Sequence, residues 1–450
     1  MNPLAMGSCA TKISIKNTPI TTMLSGDTFL HLSALATILL GTVQSAPLTF
    51  RLGKRDVAFD YQNDKVRGVN LGGWFVLEPW ITPSIFQPWA TSMTVVDEYT
   101  YTQTLGKDAA SAALTNHWNT WITEDDFTQI GQNGLNHVRI PIGYWAVAPL
   151  EGDPYVQGQL DVLDQAIGWA RTANLKILLD LHGAPGSQNG FDNSGRYGPV
   201  DWQQGDTVNQ TITALQNLAQ HYSGDTDVVT AIELLNEPLG GSLNLDELKT
   251  FYQSGYKTVT GASGNYATCI HDAFQNIDTY WNGFMTPASS GDQNVILDTH
   301  QYQVFSPAQV AMSPSDHVSA ACALGPQLAG TDKWTIVGEW TGAQTDCAQW
   351  LNGLGKGARY DGSLANSGSS YVGSCAGKAT GTVAALSSDD QDNLKHFIDA
   401  QLDAYEQHTG WIFWTWRTES APEWHLQNLT AAGLFPNPPT SRAYPGQCDS

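Results

Sequence analysis

Eight short apolar runs recur along the chain, at residues 66–73, 137–143, 176–183, 229–238, 266–272, 294–302, 334–340 and 410–417. Runs this short read as buried strands. Between them lie segments with apolar side chains at helical intervals, such as LDVLDQAIGWARTAN (160–174) and TVNQTITALQNLAQHY (207–222). Strands that alternate with helices form parallel βα units. Eight such units close into a single (β/α)8 TIM barrel, here with long βα loops. A doubly wound open sheet is the other architecture that alternation allows. It usually carries a glycine-rich phosphate turn after its first strand. The turn here is NLGGW, which lacks the G-x-G-x-x-G spacing. The Gly/Ser-rich residues 362–390 read as a long surface excursion pinned by Cys375.

The first 55 residues stand apart from this pattern. FLHLSALATILLGTVQSA (29–46) is apolar and ends in small residues, as the h-region and cleavage site of a secretory signal do. Val43 and Ser45 fit the small-x-small rule, which places the cut after Ser45. The stretch before it is long for a signal, and a start at Met23 would shorten it. An uncleaved anchor is the rival reading. Lys54-Arg55 is a dibasic pair, so residues 46–55 read as a propeptide and residues 56–450 as the catalytic domain. Cys9 leaves with the leader. Cys269, Cys322, Cys347, Cys375 and Cys448 remain, which implies two disulfides and one free thiol. Cys269 lies in a strand-like run and reads as the buried free thiol. Asn209 and Asn428 head N-glycosylation sequons.

Composition narrows the partners. Asp and Glu total 43 against 21 Lys and Arg, a net charge of -22. Such a chain repels nucleic acid and anionic membranes, but not a neutral ligand. The 16 Trp and 16 Tyr offer flat faces for core packing or for sugar rings.

In a (β/α)8 barrel, chemistry sits where strands end and βα loops begin. The first strand leads to Glu78, and the second carries Arg139. The third ends at His182 and the fourth at Asn236-Glu237. The sixth ends at His300 and Tyr302, the seventh at Glu339, the eighth at Trp414 and Trp416. A lone His or Arg in such a place is often a satisfied buried side chain. The recurrence across seven strands points to a site. Two glutamates facing each other across a barrel mouth match the two carboxyls that glycoside hydrolysis needs. A metal site of His182, His300 and a carboxylate is the rival, yet no H-E-x-x-H or similar cluster occurs. A serine hydrolase would need G-x-S-x-G, which is absent. No metal or other cofactor is expected.

The segments RGVNLGGWFVLEPW, NHVRIPIGYW, LLDLHGAPGSQNGFDNSG, IELLNEP, THQYQVFS, VGEWTGAQTDCAQWLNG and GWIFWTWRTESAPEW together resemble the fungal exo-β-1,3-glucanases of glycoside hydrolase family five, clan A. The likeness runs from about residue 57 to the end. It implies a secreted, monomeric, retaining enzyme that acts on β-glucan. By that resemblance Glu237 is the acid/base, Glu339 the nucleophile, and Asn236 the partner of the sugar 2-hydroxyl. Arg139, His182, His300 and Tyr302 would surround the nucleophile. Glu78, Asp192 and Trp414 would shape a glucose pocket, with Phe191 and Phe305 as an aromatic pair at its entrance. The disulfides would be Cys322–Cys448 and Cys347–Cys375. Trp80 departs from the pattern, since relatives often carry Tyr there. Other linkages, an endo mode, and a non-catalytic wall-binding barrel are the alternatives. On this reading an apolar surround and the charge of Glu339 raise the pKa of Glu237, while Arg139 and Tyr302 keep Glu339 ionised.

Overall fold

The computed structural model describes residues 56–449, so the leader and the propeptide expected over 1–55 lie outside the described residues. Eight parallel strands close into a barrel in chain order. They are β1 Val66–Asn70, β2 His137–Gly143, β3 Lys176–Gly183, β4 Val229–Glu233, β5 Ala267–His271, β6 Val295–Gln301, β7 Trp334–Trp340 and β8 Gly410–Phe413. The helices foreseen at 160–174 and 207–222 are Gln159–Thr172 and Thr207–His221.

Three strands stop several residues short of their apolar runs. β1 ends at Asn70, β4 at Glu233 and β8 at Phe413. Beyond β4 the chain stays tied to both neighbours: Leu234 N–H donates to Cys269 O at 3.0 Å and Asn236 N–H to Leu181 O at 3.0 Å. The apolar run thus outlasts the regular ladder.

The floor of the barrel is apolar. Leu178, Ala231, Cys269, Ile296, Ile336 and Ile412 pack there with Tyr61, which plugs the N-terminal end. Tyr61 Oη lies 2.8 Å from Thr230 Oγ1. Cys269 is the free, buried cysteine among the described residues. No described helix is long and apolar enough to cross a membrane. The excursion expected over 362–390 is mostly turns, but its last residues already open the helix Ser388–Tyr405. The disulfide Cys347–Cys375 ties it down.

The second disulfide, Cys322–Cys448, spans 126 residues and fastens the C-terminal segment to the helix Pro314–Ala329. Closing so long a loop restricts the unfolded chain, an effect of about 2–5 kcal/mol. Replacing both cysteines by serine should therefore lower the thermal midpoint while leaving far-UV circular dichroism at room temperature unchanged. An unaltered melting curve would show that packing alone holds the segment.

Candidate active site

The side chains above the floor follow from strand alternation. Residues i and i+2 share a face, so Leu178, Asp180 and His182 climb the inside of β3, and Ile296, Asp298 and His300 climb β6. Above the apolar floor comes an ionic layer built on Arg139, which is fully buried. Its Nε donates to Glu233 Oε2 at 2.8 Å, and its Nη1 to Asn70 Oδ1 at 3.0 Å and Glu339 Oε1 at 2.8 Å. Its Nη2 donates to Asn236 Oδ1 at 2.7 Å and stands 3.1 Å from Asp180 Oδ2. Burial works against the cation, yet Asp180, Glu233, Glu339 and Asp298 together hold its pKa well above the ordinary value.

Glu339 reaches the interior by an offset in the ladder. Thr299 pairs with Val337, but His300 pairs with Glu339, so Gly338 is left over. Such a bulge re-aims the side chains beyond it. Strict alternation from Ile336 would have turned Glu339 away from the barrel axis. Instead Glu339 Oε2 accepts from Tyr302 Oη at 2.8 Å and lies 3.4 Å from His300 Nδ1.

Glu237 is placed differently. It sits past the end of β4 in the left-handed region, at φ 44°. A residue with a side chain holds that conformation at a cost on the order of 1 kcal/mol. Backbone bonds on both sides offset it: Asn236 N–H to Leu181 O at 3.0 Å, and Leu239 N–H to Gln188 O at 3.1 Å. Gln188 also donates to the carbonyls of His182 and Asn236, at 2.8 and 2.9 Å. Glu237 Oε1 is 2.8 Å from His300 Nδ1, and its Oε2 accepts from Asn193 Nδ2 at 3.4 Å. One histidine nitrogen thus touches both glutamates. His182 is held by Asp180, whose Oδ2 lies 2.5 Å from its Nδ1, and its ring stacks on Trp414. Asn236 Nδ2 is buried and has no hydrogen-bond partner among the described residues, so it can donate to a ligand.

Above these groups opens a pocket of about 440 Å³, within the size range of small-ligand sites. Glu78, Asp192, Trp414, Phe191 and Phe305 line it together with both glutamates and Tyr302. Phe191 and Phe305 are 39% and 43% exposed, as rings at an entrance would be. Trp80 is also in the wall and donates from Nε1 to Glu78 Oε2 at 2.9 Å.

The chain matches the Cellulase (glycosyl hydrolase family 5) profile over residues 102–363. It is 61% identical over 404 residues to a protein of Blumeria graminis named glucan 1,3-beta-glucosidase, covering 90% of this chain and 94% of that one. The chain belongs to glycosyl hydrolase family 5. A probable glucan 1,3-beta-glucosidase A of Aspergillus niger is 53% identical over 413 residues, covering 91% of this chain and 96% of that protein. The crystal structure of rutinosidase from Aspergillus niger shares the fold, with a TM-score of 0.65 at 20% identity over 84% of this chain and 99% of that one.

Several residues of this family 5 site escaped the sequence reading. Asp180, Glu233 and Asp298 interrupt apolar runs at every second position, a signal that could have found them. Tyr197, Phe274, Asn352, Arg359 and Trp424 also line the pocket, but they lie in loops whose course the sequence does not reveal. Among the described residues, two sets of three donor atoms lie within 4.8 Å of each other: Glu237, His271 and His300, and Glu233, Cys269 and Asp298. Neither suits a cation. His271 Nδ1 accepts from Ala273 N–H at 3.0 Å, which leaves the proton on Nε2 when the ring is neutral. The second set already faces the Arg139 guanidinium.

The expectation that Glu237 titrates high is overturned. Burial pushes its pKa up, but the hydrogen bond and charge of His300 bring it below the usual carboxylate value. His300 shows the reverse: burial opposes its charge, and Glu339 and Asp298 hold it well above the ordinary histidine value. Glu339 ends up raised, because burial outweighs His300 and Arg139. The two shifts run in opposite directions, as in a hydrogen-bonded pair that favours a charged imidazole beside a carboxylate.

Other buried groups set the pH response of the fold. Burial lifts Glu98 to about 8 and Asp272 and Glu423 to about 7. Burial also holds His117 and His425 near 4 and His137 near 3. Below about pH 6.5 the two sets oppose each other, since the unfolded chain would protonate the histidines and ionise the carboxyls. Above that pH the histidines of the unfolded chain lose their protons, the raised carboxyls and His300 dominate, and the folded enzyme holds more protons. Stability should then fall as pH rises from about 6.5 to about 8. Thermal midpoints across that range test this, and a rising midpoint would contradict it.

Proposed function

We propose that this family 5 hydrolase releases glucose from the non-reducing end of β-1,3-glucan, with retention at the anomeric carbon. The observation that supports this reading best is the shared contact of His300 Nδ1 with both glutamates, at 2.8 and 3.4 Å. Those oxygens cannot be more than about 6 Å apart. So close an approach favours the roughly 5–5.5 Å spacing of a retaining pair, in which one carboxylate attacks directly. The names of the relatives above favour the β-1,3 linkage.

In this mechanism Glu339 attacks the anomeric carbon, and Tyr302 and Arg139 orient its carboxylate. Glu237 passes the proton of the Glu237–His300 pair to the leaving oxygen. A covalent glycosyl–enzyme forms, and Glu237 then takes a proton from the attacking water. Asn236 Nδ2 is the donor for the sugar 2-hydroxyl. The protein acts as a monomer after secretion; its two disulfides suit an oxidising compartment.

Incubation with laminarin decides the mode. Glucose as the sole early product is expected, and a ladder of oligosaccharides would favour an endo mode instead. No release of reducing sugar would point to a non-catalytic barrel.

Glu339→Gln should keep the fold and abolish turnover; substantial residual activity, with deamidation excluded, would rule out its role as nucleophile. Glu237→Ala should be impaired most on substrates with poor leaving groups. Azide should then restore turnover of an activated aryl glucoside and give the β-glucosyl azide, whereas an α-azide would overturn retention. Phe191→Ala and Phe305→Ala should each weaken a long β-1,3-glucan more than an aryl glucoside, by on the order of 1 kcal/mol per ring. Equal losses on both substrates would make the rings structural.

A further inference from the structure

We infer that Asp298, in the middle of β6, is the positioning residue that holds the Gly338 offset and keeps His300 charged beside Glu237. The inference rests on the reading of Glu237 as acid/base. Asp298 is fully buried and does not line the sugar pocket. Its Oδ1 accepts from Gly338 N–H at 2.7 Å, which satisfies the one residue the β6–β7 ladder skips. The carbonyl of Gly338 accepts from Asn70 Nδ2 at 2.8 Å. A Cβ at position 338 would fall 2.0 Å from Asp298 Oδ2, so glycine there is required by the aspartate. The offset that turns Glu339 inward is thereby built around the Asp298 carboxylate.

The other oxygen faces His300. Asp298 Oδ2 lies 3.5 Å from His300 Nε2 and 3.9 Å from Arg139 Nε. Neither Oδ2 nor His300 Nε2 has a hydrogen-bond partner among the described residues, and both are buried. Charges in such surroundings act strongly on one another. Glu237 and Glu339 also face His300, from the loop after β4 and from β7. His271 on β5 stacks edge-on at 4.4 Å, and Asp272 follows it. Arg139 on β2 and His182 on β3 face the same cluster and oppose a further cation.

Turnover singles out Asp298 among these carboxylates. In the first step a proton moves from His300 Nδ1 to Glu237 and on to the leaving oxygen. The bond from the anomeric carbon to that oxygen breaks, and the ester to Glu339 forms. Glu339 then carries no charge, and Glu237 regains its own. In the second step water attacks, its proton passes through Glu237 back to His300, and the ester breaks. Asp298 is in contact with His300 throughout and takes part in neither bond change. It supplies the constant charge that returns the proton to the histidine.

Asp298→Asn separates these functions, because its amide oxygen can still accept from Gly338 N–H while the charge is gone. The basic limb of kcat/KM on laminaribiose should move down by about one pH unit, and the rate near neutral pH should fall about tenfold. A dinitrophenyl glucoside, whose leaving group needs no proton, should lose much less. In the wild-type enzyme, NMR of ring-labelled histidine should show His300 still protonated above pH 7, and in the variant its titration should move down. Coincident pH profiles, or equal losses on both substrates at every pH, would overturn the inference. So would a wild-type His300 that is neutral at pH 6, a result readable even if the variant does not fold. Absence of β-glucosidase activity in the wild type would instead sink the reading of Glu237, and the histidine titration would still judge Asp298.

Discussion

A single guanidinium organises the mouth of this barrel. Arg139 draws together side chains from β1, β3, β6, β7 and the chain around the end of β4. Buried ion networks gain little over an apolar core, but removing one partner typically costs about 3–5 kcal/mol because it strands the others. With one arginine against Glu233, Asp180, Asp298 and Glu339, the layer has a surplus of negative charge. That surplus favours protons nearby. Burial, against the pull of Arg139, keeps Glu233 well above the usual carboxylate value, and the charges of Glu339 and Asp298 raise His300. The charges that hold the strands in place thus also favour protonation of the groups around them.

The storeys of the barrel divide the work. The floor of Leu178, Ile296, Ile336 and Ile412 needs only shape and apolarity. The ionic layer needs defined partners at defined distances. The top layer needs groups whose charge changes. Each depends on the one beneath: Asp180 holds His182, and Asp298 contacts His300. Glu237 stands outside this order. A left-handed residue on a turn places it, so its position depends on Gln188 and the backbone bonds around it.

Much of this was legible in the chain. Short apolar runs separated by helical periods specify a barrel because few other folds bury eight parallel strands. β2, β3 and β7 match their runs from end to end. β4 does not, since Leu234 to Asn236 remain apolar or tied after the regular pairing stops. The chemical groups at strand ends were legible because strand ends converge in a barrel. The pairing among them was not. That His300 bonds Glu237 more closely than Glu339 depends on the path of the chain after Glu233, and this contact reverses the expected titration of Glu237. The rim residues Tyr197, Phe274 and Arg359 come from loops that local pattern does not place.

The leftover glycine on β7 has a consequence for how such a site could be moved or lost. The carboxylate at 339 faces inward by a count of one. A deletion or insertion of a single residue between Trp334 and Glu339 would change the parity and send the carboxylate into the helical shell, with both glutamates still in the sequence. A copy of the motif on an ideal, bulge-free barrel would meet the same fate. Grafting this chemistry therefore means transplanting a miscount in the ladder, together with the aspartate across from it, as much as the two glutamates themselves.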